Sequence, residues 1–98
     1  MTLADFKSTL IGSGPPDVPP PLLALWHDAR GDWQKAHEVA QDVGDRSAAW
    51  VHAYLHRKEG DASNARYWYE RAGQPEARDS LEAEWTRIIT ALLGSRPT

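Results

Sequence analysis

Two histidines stand four residues apart near the middle of the chain, at His52 and His56. On an α-helix this spacing places both imidazole rings on one face, as metal-binding helices do. A metal site needs a third ligand and usually a fourth, and the sequence has no H-E-x-x-H motif and no nearby carboxylate that completes a set. We therefore favour half-buried histidines with satisfied hydrogen bonds. A metal-binding or enzymatic site built from His27, His52 and His56 is kept as an alternative.

The same stretch carries aromatic and cationic side chains. Trp50 and Tyr54 are four residues apart, and Arg57 and Lys58 follow them. Aromatic rings beside a planar cation are an efficient set for binding a peptide or a carboxylate. The alternative is that Trp50 and Tyr54 pack against a terminal segment while the two cations point into solvent.

Composition narrows the classes of function. The formal net charge is −3 and the chain has no cysteine, and its pI is near 5.7. Nucleic-acid-binding domains usually show a basic patch and a high pI, so a nucleic-acid partner is not expected. Disulfides and thiol chemistry are excluded. The first eleven residues lack the basic start and apolar run of a signal peptide, and no stretch approaches 18 apolar residues, so we expect a cytoplasmic protein without a membrane span.

Catalytic motifs are missing from the sequence. There is no glycine-rich phosphate loop, no G-x-S-x-G turn and no cysteine nucleophile. The carboxylates have structural explanations: Asp32, Asp45 and Asp61 as helix N-caps, and Glu82 and Glu84 as acidic residues at the positive end of a helix. We therefore expect no enzyme, no catalytic residues, no cofactor and no bound metal.

An internal repeat organises the chain. The stretch 26–40 is repeated at 55–69 with an offset of 29 residues. The matched pairs are His27 and His56, Gly31 and Gly60, Asp32 and Asp61, and Ala36 and Ala65. A glycine followed by an aspartate ends one helix and caps the next. The repeat therefore predicts two helix–turn–helix units, with helices at about 21–30, 33–43, 46–59 and 62–72.

The segments outside the repeats are also predicted from spacing. Thr2 caps a short first helix whose apolar stripe is Leu3, Phe6, Leu10 and Ile11. A proline-rich connector follows, because proline fixes φ and lacks an N–H. For 74–80 we favour a loop over a helix opened by Pro75. A last helix begins at Ser80, carries an apolar face of Leu81, Trp85, Ile88, Ile89, Leu92 and Leu93, and ends at Gly94, with a frayed tail at 95–98.

At these residues the chain resembles the tetratricopeptide-repeat family. Gly31-Asp32 with Ala36 and Ala40, and Gly60-Asp61 with Ala65 and Tyr69, stand where that repeat places its turn and its packing residues. The resemblance covers about half of the chain, and the period of 29 residues is shorter than the 34 of the family. The run 50–73 also resembles a group of short bacterial proteins, a likeness that implies a fold and no chemistry.

The resemblance implies an all-α single domain over 1–98. An N-terminal helix and connector occupy 1–21, two tetratricopeptide-like units occupy 22–73, and a loop with a capping helix occupies 74–98. It also implies a concave groove that binds extended, often acidic, peptides, in which Trp50, Tyr54, Arg57 and Lys58 line the third helix. We therefore predict a protein- or peptide-binding or scaffold module. A homo-oligomer that buries the apolar face of the first or last helix between copies is the alternative.

Overall fold

The structure is a computed structural model that describes residues 1–42 and 44–94, and within these ranges it is all-α with no strand. Its helices are α1 (Leu3–Thr9), α2 (Pro20–Ala29), α3 (Trp33–Gln41), α4 (Arg46–Lys58), α5 (Ala62–Ala72) and α6 (Leu81–Gly94). The prediction of an all-α chain is confirmed. No helix in the described ranges is long and apolar enough to cross a membrane.

Short polar side chains start every helix except α2, which begins at prolines. The carboxylates of Asp32, Asp45 and Asp61 accept hydrogen bonds from the backbone N–H three residues further on, and the Ser80 hydroxyl does the same for α6. Thr2 and Asp5 exchange two such bonds in a capping box. These bonds satisfy N–H groups that have no partner inside the helix, and they fix where each helix begins.

Glycine ends three of the helices in one shared conformation. Gly31, Gly60 and Gly73 have φ values of +84°, +89° and +70°, a left-handed region that costs glycine little. After each glycine the next N–H donates to a carbonyl five residues back, as Asp32 does to His27 and Asp61 does to His56. This is the Schellman arrangement; after Gly31 and Gly60 it leads directly into the next N-cap, and after Gly73 it leads into the loop at 74–80.

The helices pack as two hairpins with a third layer across them. α2 pairs with α3 and α4 with α5, while α3 lies against α4 and joins the two hairpins. α6 crosses both α2 and α4, and α1 packs on α6. The apolar faces of the first and last helices therefore bury each other within one chain: Phe6, Ile88 and Ile89 are fully buried, and the ring centroids of Phe6 and Trp85 are 6.0 Å apart.

Several sequence-based details need correction. The spacing puts Ile11 on the apolar stripe of the first helix, but it is 91% exposed because α1 ends at Thr9 and the chain turns away. Leu23 is only partly buried. Helix α4 ends one residue earlier than predicted, at Lys58. The segment 73–80 contains no helix, which confirms the predicted loop. Residue 43, the predicted end of the helix at 33–43, and the predicted tail 95–98 lie outside the described residues.

Candidate functional site

Helix α4 carries most of the candidate site residues, and its predicted binding face is turned inward. Trp50 and Tyr54 are buried, with 8% and 3% of their surfaces exposed. Their side chains are part of the hydrophobic core to which α6 contributes Trp85, Ile88 and Ile89. The groove surface expected on α4 is therefore largely covered by α6, the chain's own last helix.

Arg57 holds a carboxylate that α6 brings into the core. Glu84 is fully buried; its Oε1 accepts from Arg57 Nη1 at 2.8 Å and its Oε2 from the Tyr69 hydroxyl at 2.6 Å. Arg57 also donates to the backbone carbonyl of Asp79. Burial and the hydrogen bond to this carboxylate raise the pKa of Tyr69, because both disfavour a phenolate. The explanation of Glu84 by the helix dipole alone is therefore wrong.

Lys58 makes the corresponding contact on the side of α2. Its Nζ lies 3.1 Å from both carboxylate oxygens of Asp28, which is 2% exposed. The Lys58 side chain itself remains 39% exposed. Burial and the nearby charge of Asp28 raise the pKa of Tyr54, which lies beside this pair. Arg57 and Lys58, which the sequence analysis predicted to bind a ligand, are thus paired with the buried carboxylates of Glu84 and Asp28.

Two shallow clefts remain beside the contact between α4 and α6. The first, called the Tyr54 cleft, has a volume of about 300 Å³ and is lined by Asp28, Ala29, Tyr54, Lys58, Leu81, Glu82 and Trp85. The second, called the Trp50 cleft, has a volume of about 260 Å³ and is lined by Trp50, Arg87 and residues 74–79. The predicted site residues are therefore divided: Tyr54 and Lys58 reach one cleft, Trp50 reaches the other, and Arg57 is engaged by Glu84.

The opposite side of α4 brings three histidines together against α3. Candidate ligand atoms of His37, His52 and His56 all lie within 4.8 Å of one another. Nε2 of His37 and Nε2 of His52 are 2.9 Å apart, so one ring donates a hydrogen bond to the other. His56 Nδ1 is 2.6 Å from Oε1 of Glu59, which requires a proton on Nδ1. We call these three residues the histidine cluster.

Aromatic rings enclose the histidine cluster. Trp33 stacks on His37 with ring centroids 4.9 Å apart, and Trp68 stacks on His52 at 3.9 Å, both with interplanar angles of 13°. His52 stacks in turn on His56 at 4.8 Å. Burial, reinforced by His37 and His56, lowers the pKa of His52 to about 4. Burial also lowers the pKa of His37, against the opposing effect of Glu59 and Glu38.

The histidine cluster differs from the set of His27, His52 and His56 that the sequence analysis considered for a metal-binding or enzymatic site. His27 occupies the repeat position of His56, but it is not part of the cluster and instead packs edge-on against Trp26. The third member is His37 on α3. Glu59, three residues after His56, accepts a hydrogen bond from it, a contact that the sequence did not predict.

Signals for the missed residues were present in the sequence. Glu84 lies three residues after Leu81 and four before Ile88, inside the apolar stripe of α6, where an acid must be buried and paired. His37 lies four residues before the end of α3, and His52 lies six residues after the start of α4. Because consecutive helices joined by a short turn run antiparallel, residues at similar distances from the turn lie at the same level.

Comparison with known proteins gives no relative for this chain. No protein-family model, curated protein or solved structure matches it. We therefore infer its function from the contacts and charges of its own residues.

Proposed function

We propose that the chain is a protein-binding module that binds an acidic peptide segment of a partner at the Tyr54 cleft. This role is one of binding or scaffolding rather than catalysis, in the cytoplasm, and the tetratricopeptide-like interpretation of 22–73 belongs to the same proposal. The observation that carries it is the composition of the cleft. Aromatic and aliphatic walls from Tyr54, Leu81 and Trp85 stand beside the exposed ammonium of Lys58.

The chemistry of Lys58 supports an acidic ligand. An ammonium group has three N–H donors, and Lys58 already binds the two oxygens of Asp28. Its 39% exposure leaves room for a further carboxylate to approach from solvent. A cation at the rim of an apolar cleft directs a charged partner, while the apolar walls provide most of the binding energy.

A contact within the chain also supports a preference of α4 for acidic ligands. Arg57 binds Glu84, which an amphipathic helix presents from the other side of the groove. α6 therefore occupies the groove in the way that a helical ligand would. The proposal places the partner at the cleft beside α6, where the surface remains open, and leaves α6 in position.

The alternative of a homo-oligomer lacks the surfaces on which it depends. The apolar faces of α1 and α6 are buried against each other and against α2 and α4. Among the described residues the large hydrophobic side chains that are exposed are Met1, Ile11 and Tyr67. The central residues of both apolar faces are thus covered within one chain, so we favour binding of a different protein.

The test is a selection of peptides from a displayed random library, followed by affinity measurements with fluorescence anisotropy. We expect enriched peptides to contain an acidic residue next to apolar ones. Glu82→Arg, which reverses an exposed charge on the rim, should tighten binding, and Lys58→Gln should weaken it by about tenfold, the effect of about 1.4 kcal/mol.

The matched control is Glu38→Arg, the same charge reversal at an exposed position of α3 outside the cleft. Circular dichroism checks that Lys58→Gln, which leaves Asp28 without its cation, remains folded. Failure to enrich any peptide, or equal affinities for the Glu82→Arg and Glu38→Arg proteins, contradicts the proposal.

A further inference from the structure

In the histidine cluster, the ring nitrogens of His37 and His52 find their hydrogen-bond partner in each other. His37 and His52 share a hydrogen bond between two nitrogen atoms of the same kind, at 2.9 Å. Such a pair uses one N–H and one lone pair, and the ring that donates could equally present a lone pair in its other tautomer. With His56 nearby, three imidazole rings from two helices have nitrogen atoms within 4.8 Å of one another.

We propose that His37, His52 and His56 bind a divalent transition-metal ion of the zinc class, with the fourth coordination position left to solvent. Imidazole nitrogen is a preferred ligand of Zn²⁺, and three histidines with an open position are a known zinc arrangement. The proposal is independent of the peptide-binding function, because it concerns the opposite side of α4.

The orientation of His56 supports this assignment. His56 Nδ1 donates a hydrogen bond to Glu59 Oε1 at an N–O distance of 2.6 Å, so the lone pair of this ring is on Nε2. Histidine ligands of metals usually donate their other N–H to a carboxylate or a carbonyl, which fixes the tautomer and makes the ring more basic. Glu59 is thus a positioning residue that prepares His56 for coordination and does not itself contact the ion.

Packing holds the other two rings in place. Trp33 stacks on His37 and Trp68 on His52, each nearly parallel to the imidazole. The indole of Trp33 is itself fixed by a hydrogen bond of 2.8 Å from its Nε1 to the carbonyl of Leu55 on α4. Because stacking limits the rotamers that these rings can adopt, binding loses less side-chain entropy than at a flexible surface site.

The distances match coordination after a small adjustment. The ligand atoms lie within 4.8 Å of one another, and the closest pair is 2.9 Å apart. A tetrahedral ion with Zn–N bonds of about 2.1 Å needs nitrogen separations of roughly 3.4 Å. A small rotation about the side-chain bonds of His37, which is only partly buried, can lengthen its 2.9 Å separation from His52 toward this value.

Charge in this region favours a cation. Glu59 and Asp61 have carboxylate oxygens within 4.8 Å of a His56 nitrogen, and Glu38 is next to His37. Carboxylates around neutral imidazoles offset the charge of a divalent ion, as they do at other metal centres.

The position of the cluster indicates what the ion would do. His37 belongs to the first repeat unit, and His52 and His56 belong to the second. The repeat equivalents of His37 and His52 are Arg66 and Leu23, which cannot form a second site of this kind. The ion would therefore join α3 to α4 at the single junction between the two units.

The test uses the untagged protein, stripped with a chelator and titrated with ZnCl₂ against a chromophoric zinc indicator. We expect one Zn²⁺ per chain. A parallel titration with CoCl₂ should give the intense visible absorption of a four-coordinate cobalt ion. His52→Gln and His37→Gln should each weaken binding by more than about 100-fold, and Glu59→Gln by about tenfold, as expected for a residue that only orients a ligand.

His27→Gln is the matched control, because His27 is the repeat equivalent of His56 and lies outside the cluster. It should bind Zn²⁺ like the original protein. Far-ultraviolet circular dichroism of each protein without metal separates loss of binding from loss of folding, and His37→Gln, at a partly exposed position, is the mildest of the cluster variants.

Three results would overturn the proposal. The first is the absence of stoichiometric binding by the folded, untagged protein. The second is binding that His27→Gln weakens as much as the folded His37→Gln variant does, which would indicate adventitious binding to scattered histidines. The third is a cobalt spectrum typical of six-coordinate aqueous ions.

Discussion

The two sides of α4 satisfy their polar groups in different ways. On the side that faces α2 and α6, buried carboxylates meet cations: Glu84 meets Arg57, and Asp28 meets Lys58. On the side that faces α3, imidazole rings meet one another in the histidine cluster. On one side of α4, which we call the closed side, ion pairs satisfy the buried polar groups. On the other side, the histidine side, imidazole nitrogens are hydrogen bonded to each other and could bind an ion instead.

This difference indicates where the chain can bind something more. A carboxylate already held by an arginine and a tyrosine has little left to offer a ligand, so the proposed peptide site on this side lies at the rim, beside Lys58. Histidines hydrogen bonded to histidines can exchange those bonds for stronger coordination bonds. The buried polar residues therefore stabilise the fold on one side of α4 and form a candidate ion site on the other.

The largest effect is expected on the closed side. Arg57→Ala leaves Glu84 fully buried without its cation, and breaking a buried ion pair by removing one partner costs about 3–5 kcal/mol of unfolding free energy. Urea denaturation followed by circular dichroism measures this loss.

Arg87→Ala is the control for this experiment, because Arg87 pairs with Asp79 at the surface. Solvent screens that pair, so its removal should leave the urea midpoint nearly unchanged. Equal effects of the two arginine variants would show that the closed side is not held by its buried pair.

The next effect is a pH dependence that arises on the histidine side. Unfolded histidine has a pKa of about 6.5, whereas His52 in the folded chain has a pKa of about 4. As the pH falls below 6.5, His52 becomes protonated in the unfolded state but stays neutral in the folded state. The free energy of unfolding should therefore be highest above pH 6.5 and fall by up to about 3 kcal/mol by pH 4, measured in chelator.

The groups that face His52 enter this prediction as well. His37 and His56 oppose its protonation, while Glu59 and Glu38 act on His37 in the other direction. His52→Leu, which installs the residue of the equivalent position Leu23, should flatten the slope of stability against pH. His27→Gln should keep most of it, because burial lowers the pKa of His27 less. If His52→Leu leaves the slope unchanged, the pH dependence does not arise from His52.

A bound ion should stabilise the junction by mass action. At a free Zn²⁺ concentration a hundred times the dissociation constant, the folded state gains about 2.7 kcal/mol. Differential scanning calorimetry with and without ZnCl₂ should show this as a higher Tm for the original protein and for His27→Gln. The Tm of His52→Gln should not respond to Zn²⁺; a rise equal to that of the original protein would place the ion elsewhere.

The smallest effect concerns the start of α4, which both sides share. Asp45→Ala removes the hydrogen bond of 2.8 Å to the Ala48 N–H and should cost about 1 kcal/mol, while Asp45→Asn should cost little because asparagine caps equally well. Thermal unfolding compares the two. A large loss in both would mean that the charge of Asp45, rather than its hydrogen bond, is needed.

Much of the fold could be predicted because it depends on local chemistry. Gly31-Asp32 and Gly60-Asp61 determine a helix end and a helix start through bonds within a few residues, so their positions in the sequence are enough to locate both turns. Ile11 shows the limit of this approach. Its spacing fits the stripe of α1, but the helix ends at Thr9, and periodicity alone does not reveal where a stripe stops.

The site was harder to predict because it depends on contacts between helices. The sequence identified His52 and His56 as neighbours on one helix, but His37 joins them only through the packing of α3 on α4. Similarly, the sequence assigned Arg57 to a ligand, whereas α6 folds back and supplies Glu84 from within the chain. Residue types indicate which kinds of bond these side chains can form, whereas the packing of the helices determines which partners they meet.

The most direct test of the difference between the two sides of α4 is a long-range ¹H–¹⁵N spectrum of the histidine rings, recorded before and after one equivalent of ZnCl₂. Without metal, His56 should be protonated on Nδ1, where Glu59 accepts its hydrogen bond. With Zn²⁺, the ring nitrogens of His37, His52 and His56 should shift together while those of His27 stay in place. Shifts in His27, or none in the cluster, would contradict the distinction between the two sides.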